Sequence, residues 1–136
     1  MDARKLIFTA TLFLTLLTSQ SEARPLKDIM GDMGGIFKQV ARSISQGSAG
    51  AQELQKVQQL LTLVVEAKGE LPSVILNSSS PQREEMTLRY ESLMQDLEAS
   101  VLELEDALNR GDSAQAKVAL QKIVSIRSLG HDEFKI

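Results

Sequence analysis

The sequence predicts an all-α protein, an antiparallel up-down-up-down four-helix bundle. Three observations carry that expectation. The apolar residues are almost entirely Leu, Val, Ile, Met and Ala, with 4% aromatics and no tryptophan, a composition suited to helices. Four stretches place apolar residues three and four apart, the spacing of one helix face. Gly, Pro and Asn punctuate the chain between those stretches, and no apolar/polar alternation of the strand kind occurs.

The first residues read as an address. Arg4 and Lys5 precede an apolar run from Leu6 to Leu17, and Ser21-Glu22-Ala23 offers small residues where a signal peptidase cuts. The run is shorter than the roughly 20 apolar residues that a membrane-spanning helix needs. The expected domains are therefore a cleaved signal peptide, 1–23, and an exported helical bundle, 24–136. Loss of Asp2, Arg4, Lys5 and Glu22 removes two charges of each sign, so the net charge of −3 is unchanged.

The first helix starts near Pro25, whose missing N–H costs nothing in a first turn. Leu26, Ile29, Met30, Met33, Phe37, Val40 and Ile44 form its apolar stripe. Gly31, Gly34 and Gly35 work against it, at about 1 kcal/mol each relative to Ala; close approach of a bulky neighbour or a frayed first turn would account for them. Gly47-Ser48-Ala49-Gly50 ends the helix. The second runs from Ala51 to Lys68 on Leu54, Val57, Leu60, Leu61, Val64 and Val65, with Gly69 as its stop and Pro72 beyond. Residues 69–80 read as a crossing loop. Ser80-Pro81 opens the third helix as N-cap and first residue, and Met86, Tyr90, Leu93, Leu97, Val101, Leu104 and Leu108 repeat at near-heptad spacing. Asp112-Ser113-Ala114-Gln115 reads as a capping box for the fourth, whose stripe is Ala116, Ala119, Leu120, Ile123 and Val124.

Composition closes off much chemistry. There is no cysteine and a single histidine, so disulfides, thiolate metal sites, thiol nucleophiles and multi-histidine metal sites are excluded. A net charge of −3 without a basic stripe argues against nucleic acid, and no Lys-rich polar face suits a membrane surface.

The topology brings the two ends of the domain together. In an up-down-up-down bundle the start of the first helix and the end of the fourth share one end and are neighbours. Met30 lies within about 20° of Phe37, and His131 within about 20° of Leu120 and Val124, so both are expected to face inward. A thioether and an imidazole converging on an apolar mouth form the arrangement used for axial ligation of haem iron. Met33 is a rival on the same face, and methionine is also an ordinary core filler.

Leu26-x-Asp28-x-Met30, and Asn109-x-Gly111 followed by an Ala/Gln-rich helix ending Arg127-x-x-x-His131, resemble the soluble cytochrome b562 family. The likeness covers the whole exported chain in organisation and runs without a gap from Asn109 to His131. It implies a periplasmic electron-transfer protein binding one non-covalent haem b, with Met30 and His131 as the axial ligands. Met33, Phe37, Tyr90 and Met94 would line the pocket, and Arg127 would meet the haem edge or a propionate. The chain departs from the family at Gly31, Gly34 and Gly35, and at Gly130, where a larger residue is expected. Covalent haem attachment is excluded, since Cys-x-x-Cys-His would need cysteines at 127 and 130, which are Arg and Gly.

The resemblance implies no enzyme activity, a redox protein of unknown identity as partner, and a monomer without membrane insertion of the exported chain. The competing reading is a haem-free periplasmic bundle that serves interaction or stress response.

Overall fold

A computed structural model describes residues 24–136; the expected signal peptide, 1–23, lies outside the described residues. Five helices follow one another: α1 (Leu26–Ser45), α2 (Ala51–Lys68), α3 (Ser73–Leu76), α4 (Ser80–Asn109) and α5 (Ser113–Phe134). The four long ones are those the periodicity predicts. No strand occurs among the described residues. The protein is an all-α four-helix bundle.

Local chemistry accounts for the ends of these helices. Pro25 stands just before α1, and its carbonyl accepts from the N–H groups of Asp28 (2.9 Å) and Ile29 (3.2 Å). The glycines do not fray the helix, which continues through all three. Gly47, at φ +85°, and Gly111, at φ +67°, take the left-handed turns that reverse the chain after α1 and α4. Glu53 begins α2 by accepting from the Gly50 N–H at 2.9 Å. That bond is the main reason its carboxyl is held below the usual carboxylate range. The helix α4 starts at Ser80, one residue earlier than expected, with Ser79 in the capping position and Pro81 in the first turn. At α5 the Asp112 carboxylate accepts from the Gln115 N–H at 3.0 Å. The reciprocal bond from the Gln115 side chain, which a full capping box requires, is absent among the described residues.

The expected crossing loop contains α3. Four residues are too few for a periodicity to show, yet they bury Ile75 completely. The Pro72 carbonyl accepts from Ile75 and Leu76 at 3.0 and 3.2 Å, and Arg83 donates to the Leu76 carbonyl at 2.8 Å, tying the turn to α4.

The long helices neighbour one another in the order α1, α2, α4, α5. Arg89 pairs with Glu133 while Lys122 pairs with Glu103, so α4 and α5 run antiparallel. The core consists of Ile29, Val40, Val57, Val64, Val101, Leu104 and their neighbours, all fully or nearly fully buried. Each large aliphatic side chain so buried contributes about 1.5–3 kcal/mol, which suits a domain without covalent cross-links. The ring closes unevenly. Against the broad α4–α5 and α1–α2 contacts, the seam between α1 and α5 is thin.

Candidate functional site

That thin seam opens into an enclosed apolar slot of about 60 Å³. One wall is α1, through Met30, Met33, Gly34 and Phe37. The opposite wall is α5, through Ile123, Ile126, Arg127 and Gly130. Leu93, Met94 and Leu97 of α4 form the floor, Leu60 of α2 the base, and Ile136 crosses the mouth. Three thioethers therefore face one small volume, and Arg127 is the only charged side chain in its lining.

Two glycines shape the walls. A Cβ at Gly34 would stand 3.2 Å from Arg127 Nη2, so the missing side chain is what lets the guanidinium lie against α1. A Cβ at Gly130 would stand 3.2 Å from Leu93 Cδ2 and 3.6 Å from Ile136 Cδ1. Gly34 is thus a close-approach glycine, whereas Gly31 and Gly35 face open space. No carboxylate among the described residues pairs with Arg127.

Five of the seven residues expected at the site line this slot: Met30, Met33, Phe37, Met94 and Arg127. Tyr90 does not. It is fully buried elsewhere, donating its hydroxyl to the Ala67 carbonyl at 2.8 Å. Its ring meets that of Phe134 edge-on, with centroids 5.5 Å apart and planes at 80°. Burial, with a smaller contribution from Glu70, pushes the phenol up to about 12, so it remains a donor. Tyr90 joins three helices instead of lining the pocket.

His131 also departs from expectation. It is exposed, and Nδ1 lies 3.3 Å from the main-chain oxygen of Ile136. The inward phase was drawn through Leu120 and Val124, but Val124 is 53% exposed and Leu120 sits at the border of the core. The buried stripe of α5 runs instead through Ala119, Ile123 and Gly130, and His131 lies about 80° from Ile123. The histidine is on the rim of the slot, next to a glycine that lines it.

Sequence reasoning missed Ile136, Gly34 and Gly130 as walls. The two glycines carried a signal, since a glycine in a helix often marks close packing. Ile136 carried none, because its place depends on a backbone reversal after α5.

The lining is aliphatic with three thioethers and one cationic side chain, and the imidazole of His131 stands outside it on the rim; thioethers and imidazoles are donors that suit a soft metal. Among the described residues no group of three or more His, Cys, Asp or Glu could hold a bare metal ion. The donor set fits a porphyrin on its chemistry. On size, the slot is well below the roughly 300–1,000 Å³ of ordinary ligand pockets, so entry requires α1 and α5 to part.

A family model described as cytochrome b562 matches residues 25–135. No curated protein and no solved structure matches the chain.

Proposed function

Since the chain belongs to the cytochrome b562 family, whose members bind haem b non-covalently and carry electrons, we propose that it is a periplasmic one-electron carrier with haem between α1 and α5. Met30 and His131 would hold its iron in this reading. One observation supports it above the others: Met30 lines one wall of an apolar slot between α1 and α5, and Gly130, which precedes His131, lines the wall opposite.

Bound haem supplies reversible one-electron chemistry at its iron. The residues of the chain determine the surroundings. Met33, Phe37 and Met94 exclude water. Arg127 meets a propionate with a charge-assisted bond of the kind a guanidinium makes well with a carboxylate. The thin α1–α5 seam is where the bundle opens at least cost, because few packed contacts are lost there. His131 turns in from the rim as the slot widens. With Met30 and His131 both holding the iron, no position there would be left for a substrate, and the protein would pass electrons to and from a redox partner without enzyme activity of its own; we read it as a monomer.

The closed slot and the exposed histidine favour a second reading, a haem-free bundle serving interaction or stress response. Haemin titration decides between them. The first expects a one-to-one complex with a sharp low-spin spectrum, lost in both Met30→Ala and His131→Ala. A protein that stays colourless, or a spectrum indifferent to both substitutions, overturns it.

A further inference from the structure

The charges of the bundle are sorted by face. The helix α4 carries eight carboxylates against two arginines, Arg83 and Arg89. The outward side of the α1–α5 seam carries cations instead. Gly34 and Arg127 meet across that seam and mark its direction on each helix. Lys27 and Lys38 lie within about 40° of Gly34 and Arg42 about 80° from it, while Lys117 lies about 80° from Arg127. All five cations are exposed. Among the described residues none of them pairs with a carboxylate. Lys27 to Arg42 alone spans about 22 Å at the helical rise of about 1.5 Å per residue.

The carboxylates of α1 and α5 are turned elsewhere. Asp32 is held by Arg24, which also binds Glu66 of α2, and Glu133 is held by Arg89 of α4. Asp28 lies about 120° from Gly34, and Asp132 about 140° from Arg127. Neither helix carries a basic stripe along its own sequence; packing α1 beside α5 makes one. Stability does not account for it. Like charges along one seam repel, and Lys27 stands in the first turn of α1, where the helix dipole opposes a cation. Among these cations Val124 is 53% exposed, about 60° from Arg127 on its helix.

We propose that the outward side of the α1–α5 seam is the docking surface for an acidic redox protein, with Val124 as its apolar centre and Lys27, Lys38, Arg42 and Lys117 around it. That the partner carries electrons rests on the haem reading above; that its docking patch is acidic rests on charge alone. A propionate held by Arg127 leaves the other four cations for the partner. A small apolar centre with a charged rim suits the brief encounters of electron transfer, which bury less than about 1,200 Å². Cations gathered on one face steer an acidic surface there, while the carboxylates of α4 turn it away. Nucleic acid and anionic membrane fit this face less well. The aromatic rings among the described residues, Phe37, Tyr90 and Phe134, are all buried. None is left to stack on a base or to anchor at a bilayer interface.

The test uses an acidic plant-type ferredoxin, of the two-iron, two-sulfur kind, as its probe. Added to the haem-free chain, it should shift the backbone amide resonances of α1 and α5 along the seam, with an affinity that falls as salt is added. Lys38→Gln and Lys117→Gln each remove one positive charge from the stripe, and neither residue lines the slot. Each should weaken the complex about two- to fivefold. Gln55→Glu lowers the net charge by the same amount on the exposed side of α2 and should leave the complex nearly unchanged. With haemin bound, transfer of one electron from the reduced ferredoxin to ferric haem should slow in both lysine variants, at unchanged haemin affinity. No complex at low salt, a footprint on another face, or lysine variants that bind no worse than Gln55→Glu overturns the docking surface. Anionic vesicles or a single-stranded oligonucleotide that bind the seam more tightly than the ferredoxin at equal ionic strength overturn the choice of a protein. A chain that docks the ferredoxin at the seam but binds no haemin overturns the haem reading and leaves the acidic docking surface standing.

Discussion

The two ends of the bundle are built differently. Where α1 ends and α5 begins, Val57, Val101, Leu104, Ala107 and Ala116 are fully buried, with Ile44 and Ala119 close to it. Where α1 begins and α5 ends, Met33, Phe37 and Leu97 keep 7–8% exposure around the slot, and flexible methionines replace branched aliphatics. Branched side chains hold few rotamers and pack one way; methionine adapts to whatever lies beside it. The sealed end holds the fold together, and the loose end gives up packing for the capacity to admit a ligand.

Truncation should expose this division most strongly. Leu104→Ala at the sealed end is expected to cost about 2–5 kcal/mol, because the surrounding helices relax only partly into the space. Met33→Ala beside the slot should cost less than half as much, since a cavity already exists there. Denaturant unfolding of both variants measures the difference; equal losses would mean that the two ends are packed alike.

Tyr90, fully buried at the loose end with Ile29, Ala67 and Ile75, ties that end down, and its loss should come next in size. Tyr90→Phe removes the hydroxyl and leaves the buried Ala67 carbonyl without its partner, at about 1–3 kcal/mol. The pH dependence identifies the cause. The folded phenol is pushed up to about 12, above the roughly 10 of an unfolded chain. Its contribution is therefore complete below pH 10 and is lost as pH rises through the folded value. Alkaline unfolding should steepen in that window for the unmodified protein and not for Tyr90→Phe.

How much of this was legible in the sequence depends on the length of the pattern concerned. Helices of eighteen residues or more announced themselves by repeated spacing, and their ends by Gly47, Gly69, Pro81 and Gly111. A four-residue turn such as α3 has no period to detect. Met30, Met33 and Phe37 line one slot because all three belong to the long apolar stripe of α1; Met94, which lines it from α4, lies off the stripe that spacing alone marks on that helix. His131 was expected inward because its phase was measured from Leu120 and Val124, at the edge of the α5 stripe, whereas the centre of the buried face runs through Ala119, Ile123 and Gly130. Small residues bury without looking hydrophobic. Tyr90 stands one turn before Met94 on α4, but its hydroxyl finds a carbonyl on α2, and that partner is not visible along the sequence of α4.

The glycines of α1 sharpen the comparison at about 1 kcal/mol. Gly31→Ala and Gly35→Ala place a Cβ in open space, so each should gain about 1 kcal/mol from helix propensity and leave haem binding unchanged. Gly34→Ala meets Arg127 Nη2 at 3.2 Å. The flexible tip can retreat, so most of the stability gain should survive, while haem affinity falls as the guanidinium is displaced. Thermal unfolding and haemin titration of the three variants separate fold from site. Equal haem affinity in all three would remove Arg127 from the site.

The smallest effect lies at the start of α2, at the sealed end, and is a matter of charge. The Gly50 N–H holds the Glu53 carboxyl below its usual range. A carboxyl with a lowered folded value stabilises the fold above its unfolded value, about 4.3, and ceases to do so as pH falls through the folded one. Glu53→Gln can still accept the same hydrogen bond but brings no charge to the helix N-terminus. It should therefore be slightly less stable than the unmodified protein at pH 7, and the gap between the two should close in acid. No such convergence is expected for Met33→Ala, where nothing titrates. Denaturant midpoints at neutral and acid pH test the point. A gap that persists unchanged in acid would show that Glu53 acts through packing, and that the sealed end owes its integrity to side-chain contacts even where a helix begins.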